Sequence, residues 1–146
     1  MTLIELMIAV VIMGVLLAVA FPSYLDSVRK GRRAEGIAAL TSVQHAQERF
    51  RANNRDYGNL VVGDEKVLPN ASALSNSANG RYALAVSGNT ATGYTATATA
   101  AGTQADDTAC VVMGVRATGG NLRYGSATSS IDWTATEPDA GRCWAK

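Results

Sequence analysis

The chain has 146 residues, 47% of them hydrophobic and 17% charged, with a net charge of +1. That length suits one domain with an appendage, and the near-zero charge argues against a global field that would attract nucleic acid. Its two cysteines stand outside any CxxC or Cys/His spacing, which argues against a zinc site.

The first 25 residues are MTLIELMIAVVIMGVLLAVAFPSYL. Leu6 to Phe21 are all apolar or glycine, and Glu5 is the only charged side chain in the segment. A signal peptide needs a basic start and a small-residue cleavage site, but here the basic residues come after the apolar run. With its flanks the run reaches the roughly 20 residues that span a bilayer. A basic collar succeeds it: residues 23–55 hold seven Lys/Arg, including Arg29, Lys30, Arg32 and Arg33, against three acids. Such a collar suits lipid headgroups, a neighbour's acidic surface or simply a solvated helix face. Taken literally, the positive-inside rule puts the C-terminal part of the chain in the cytoplasm. A disulfide would put it on the other side, and a preceding leader with its own basic residues would resolve the conflict.

Helical patterning continues past the apolar run. Ile37, Leu40, Val43, Ala46 and Phe50 recur at spacings of three and four and make one apolar stripe. Arg33, Glu35, Gln44, Gln47, Glu48 and Arg51 fall largely on the other faces. The stretch RANNRDYGN supplies stop signals. One helix from about Leu3 to Ala52 is expected, apolar all round in its first half and amphipathic in its second. Gly14 and Pro22 interrupt it, so a kink or a local loss of helix is expected between them.

Residues 53–80 read as a long polar connection. In RYALAVSG, Tyr82, Leu84 and Val86 alternate with smaller or polar residues. In GYTATATA, Thr95, Thr97 and Thr99 share one face, and Tyr94, Ala96 and Ala98 the other. ACVVMGVRATGGNLRYGS reads as two strands joined around Gly119-Gly120-Asn121. The expected fold is α+β: a long N-terminal helix whose second half packs on an antiparallel sheet of about four strands, with small residues on the second strand letting the helix lie close. The chain divides into a hydrophobic helix, 1–25, and a globular head, 26–146, which begins with the amphipathic helix 26–52. The tail is irregular. Outside the cytoplasm, Cys110 and Cys143 would form a disulfide, stabilising the fold by about 3–4 kcal/mol in the chain-entropy model; two buried thiols are the alternative.

On Met1-Thr2-Leu3-Ile4-Glu5, the aliphatic run, Pro22 with Tyr24 two residues later, and the C-terminal cysteine pair, the chain resembles the type IV pilins. The likeness is specific over residues 1–55 and architectural beyond. The family usually has Phe first where this chain has Met1; removal of a leader ending in glycine before Met1 keeps Glu5 at its family position. The resemblance implies several things. A prepilin peptidase would cleave the leader and methylate Met1. Glu5 would meet the terminal amine of a neighbouring subunit during assembly. The region of Gly14, Ala18 and Pro22 would lose helix in the filament. The chain would reside in the bacterial inner membrane and then, through the pilus assembly machinery, become a homopolymeric extracellular filament serving adhesion, twitching motility or DNA uptake. Glu5 pairing with its own N-terminus, or resting at an interface, is the alternative.

No nucleophile–base pair, phosphate loop or metal cluster is legible, so neither an enzyme nor a cofactor is expected. His45 is expected on the surface or in packing. Asp106-Asp107 and Asp64-Glu65 lack the spacing of a calcium loop and read as solvated turns. Asn70-Ala71-Ser72 fits a glycosylation sequon common by chance. Trp133 and Trp144 are expected to cap a small core, with adhesive contact as the alternative. Two other functions compete: a type II secretion pseudopilin, and a minor tip pilin acting as adhesin or DNA receptor through Arg29–Arg33 or the 110–143 loop.

Overall fold

The computed structural model describes residues 2–139 and 141–144. Helix α1, Leu3–Arg51, carries the chain through two compact units, one up to Gly31 and one from Arg32 onward. In the first unit no side chain among the described residues is buried, and its leucines, isoleucines and valines up to Val19 stand more than half exposed. α1 is helical without a break through Gly14, Ala18 and Pro22. An isolated proline costs a helix one hydrogen bond and some crowding, and long flanking turns of good helix formers tolerate that.

In the second unit α1 buries Gly36, Leu40, Val43, Ala46 and Gln47, with Ile37 and Phe50 packed partly buried beside them. This face lies on a four-stranded antiparallel meander: β1 (Tyr82–Ser87), β2 (Gly93–Ala100), β3 (Val112–Thr118) and β4 (Asn121–Ala127), in that order. The alternation read from the sequence sets the faces. Tyr82, Leu84, Tyr94, Ala96, Ala98, Met113 and Val115 point to the helix, and Thr95, Thr97 and Thr99 point away. Ala98 pairs with Met113, and Ala96 with Val115, so small side chains sit across from large ones. Gly36 is where the helix comes close to the sheet. A Cβ there would lie 2.5 Å from the Met113 methyl and 3.2 Å from the Tyr82 ring. The β3–β4 turn is the two-residue Gly119-Gly120, with φ of 56° and 84°, the left-handed pair that a type I′ hairpin demands.

Three further expectations change. The connection 53–80 is ordered: a one-turn helix α2 (Ala71–Leu74), a parallel bridge Asn59–Val67 and an antiparallel bridge Asn76–Ala83 bring Leu60, Leu68 and Ala71 into the core. Gln47 lies not on a polar face but on the buried stripe, four residues after Val43. Asp107 is no solvated turn residue; it is only 4% exposed.

Candidate functional site

At its start α1 is closed by its own residues. The Thr2 amide donates to Glu5 Oε2 and the Glu5 amide donates to Thr2 Oγ1, each at 3.4 Å. Thr-x-x-Glu is the reciprocal capping box, so Glu5 has a local partner before any neighbour arrives. The carboxylate also sits where the helix dipole favours negative charge. Next to it Ile4, Met7, Ile8, Val11 and Ile12 line a wholly apolar surface depression. α1 is long and apolar enough here to cross a membrane. Nothing lies within 4 Å of a Cβ built on Gly14, and Ala18 and Pro22 are exposed. Met1 lies outside the described residues.

The head is fixed to the helix by polar groups whose partners are far off in sequence. Arg33 donates Nε and a terminal N to the two oxygens of Asp107, each at 2.7 Å. Arg32 reaches Thr103 beside it. Glu35 accepts from the Ser77 hydroxyl (2.6 Å), the Asn79 amide (2.9 Å), the Asn79 side chain (3.1 Å) and Arg81 (2.6 Å). Burial pushes the Glu35 pKa up, but those four donors outweigh it and hold the group at about 2. Gln47 donates to the Gly58 carbonyl (2.7 Å) and accepts from the Gly58 amide (2.9 Å) inside the core, which is why an amide can stand on the apolar stripe. The collar is therefore largely committed: Arg33 to Asp107, Lys30 to Asp26 at 2.6 Å, Arg32 to Thr103.

Cys110, just before β3, is bonded to Cys143. Asp139 organises the enclosed loop by accepting from the Ser126 hydroxyl and from the amides of Cys143 (3.0 Å) and Trp144 (3.4 Å). The Trp144 indole donates to the Gly125 carbonyl at 2.9 Å and tilts against Tyr124 with ring centres 4.7 Å apart. Ile131 folds over the two glycines of the outer sheet face, joined by Trp133 at Gly114 and by Pro138 at Gly125. Both tryptophans thus serve as packing residues. Arg123 ties the segment down by donating to the Trp133 carbonyl at 2.7 Å and the Ala135 carbonyl at 2.5 Å.

The rest of that outer face is open. None of the four strands contains Asp or Glu; their only charged side chains are Arg116 and Arg123, direct cross-strand partners. Arg116 is exposed and, among the described residues, has no carboxylate partner. His45 is exposed on α1, Asn70 is exposed at the start of α2, and Asp64 accepts from Asn59 and from the Lys66 amide. Among the described residues no group of His, Cys, Asp and Glu could hold a metal.

Residues 22–114 match the family model described as type IV minor pilin ComP, DNA uptake sequence receptor. A curated relative, a fimbrial protein of Dichelobacter nodosus, is 35% identical over 129 residues, covering 88% of this chain and 68% of that protein. With the long two-character helix, the helix-backed meander and the Cys110–Cys143 bridge in place, the chain belongs to the type IV pilins and is a type IV pilus subunit.

Proposed function

We propose that the chain polymerises by bundling its apolar helical segment with those of its neighbours, Glu5 accepting the processed amine of Met1 from the next subunit. The observation that carries this is a helix whose first unit has no fully buried side chain among the described residues, with one carboxylate that Thr2 engages through capping contacts of 3.4 Å. An apolar surface of that extent cannot stay in water. Before assembly it lies in the inner membrane, where a prepilin peptidase cleaves and methylates the N-terminus and the assembly machinery extracts it. A charge inside a bundle or bilayer is costly, and an ion pair with a neighbour's amine offsets the loss, which selects the neighbour's register. Inside the bundle the segment from Gly14 through Ala18 to Pro22, where glycine and proline weaken the ladder, releases its helical hydrogen bonds. Sheared surface fibres made of this chain with a methylated Met1, and their loss in Glu5→Ala, test the reading. Normal assembly by Glu5→Ala removes the ion pair from it.

A second reading concerns what the subunit does once displayed. The matching family model describes a DNA uptake sequence receptor, which supports a minor pilin that binds DNA at the filament surface. Binding of labelled duplex DNA by the purified chain, and its absence from an unrelated pilin, tests this. Failure to bind DNA leaves a pilus subunit serving host-surface adhesion or motility.

A further inference from the structure

We propose that the outer face of the sheet, centred on Arg116 beside Arg123, seats the phosphate backbone of duplex DNA; this rests on the DNA-binding reading above. The register lines up one row across all four strands: Ser87 with Thr95, Thr95 with Arg116, Arg116 with Arg123. Two like charges set directly opposite each other weaken a sheet, and this pair stands with no acid anywhere on the strands. Arg123 is oriented by the Trp133 and Ala135 carbonyls and has the Asp132 carboxylate near enough to act on it electrostatically, so Arg116, with no carboxylate partner among the described residues, carries the charge of the face. Arg116 opens onto a cleft of about 270 Å³ that it shares with Thr90, Thr92, Thr95 and Thr118. A guanidinium fork flanked by hydroxyl donors is the arrangement that binds phosphate oxygens.

Phosphate is favoured over base edges by the shape of the face. Four strand axes span about 14 Å, wider than the roughly 12 Å major groove, which admits a helix or a two-stranded ribbon. A broad sheet face therefore lies along the backbone. The collar is a weaker candidate for the same ligand, since Arg33 and Lys30 are already paired with Asp107 and Asp26.

The test uses the full chain in nonionic detergent, two duplexes of unrelated sequence, and fluorescence anisotropy across a salt series. Arg116→Gln should weaken binding to both duplexes about tenfold and lower the salt slope by about 0.9, the share of one phosphate, with the thermal melt no lower than the parent's. Arg49→Gln, an exposed helical arginine away from the sheet, should bind as the parent does. If the parent binds and Arg116→Gln binds equally well, the face is wrong while the DNA reading stands. An equal loss in Arg49→Gln makes the effect one of net charge and overturns the site. Loss on one duplex alone makes Arg116 a base reader and overturns the backbone role. A parent that binds an acidic polysaccharide but neither duplex overturns the DNA reading and the face proposal with it.

Discussion

Arg33 and Asp107 meet through two parallel 2.7 Å hydrogen bonds, the arginine side chain 13% and the aspartate 4% exposed. They lie 74 positions apart in the chain, and the contact fastens the β2–β3 connection to α1. Removing the aspartate takes away the carboxylate that Arg33 and the buried Gln104 amide share. Asp107→Ala should therefore destabilise the head by about 3–5 kcal/mol, read as a lower urea midpoint. Replacing both residues by apolar ones of similar volume should cost less, the remaining loss being the buried Gln104 amide that donates to Asp107 at 3.2 Å; a double variant as unstable as the single would refute this account.

Glu35 makes stability depend on acid. Its pKa is held at about 2 in the fold against 4.5 for a free glutamate, so the unfolded chain binds the proton more readily. Its stabilising contribution is complete above about pH 5 and lost as pH falls toward 2, on the order of 1–2 kcal/mol once solvent screening is allowed for. Glu35→Gln should flatten the stability profile between those limits, as thermal melts at stepped pH would record. An unchanged slope would place the acid sensitivity elsewhere.

Gln47 is the one polar side chain on the buried stripe of α1, and both its amide groups serve Gly58. Gln47→Leu should fill the space yet leave a buried N–H and C=O without partners, costing about 2–3 kcal/mol. Hydrogen exchange at the Gly58 amide should rise ahead of its neighbours. Protection equal to the parent's would show that the loop holds itself.

The Cys110–Cys143 bridge closes a loop with a sequence separation of 33. Its reduction should lower stability by about 3–4 kcal/mol in the chain-entropy model. Because β4 is bound separately through Ser126, Asp139 and Trp144, the sheet should survive reduction. Far-ultraviolet circular dichroism with and without reductant decides this: a lost strand signal would mean that the bridge, not the network, holds β4.

Glu5→Gln keeps the capping geometry of Thr2 and removes the charge. If the carboxylate serves only the capping box, helix content and filament yield should both stay normal. The ion-pair reading instead expects helix content to hold while fibre yield falls at least tenfold, measured by shearing and quantitative blotting; that size corresponds to about 1.4 kcal/mol of assembly free energy per subunit contact.

Local pattern carried much of this molecule. The 3.6-residue stripe from Ile37 to Phe50, the alternation of Tyr82, Leu84 and Val86, the Thr and Ala faces of β2 and the Gly119-Gly120 turn all come from side-chain periodicity and backbone sterics. Each was legible residue by residue. The letters of the capping box, Thr2-x-x-Glu5, stand in the sequence too, though the membrane-like run beside them makes the charge the more conspicuous feature. Pattern could not show which polar side chains would be buried. Gln47 and Asp107 read as surface residues because their partners, Gly58 and Arg33, are brought to them only by the folded chain. The same holds for Arg116: as a letter in β3 it is one arginine among thirteen basic residues. The sheet register places it against Arg123 on strands that carry no Asp or Glu. Hydrophobic periodicity is a property of neighbours along the chain, so sequence alone determined the elements and the family. Hydrogen-bond satisfaction and charge neighbourhood depend on distances between remote segments, and only the tertiary structure decided those.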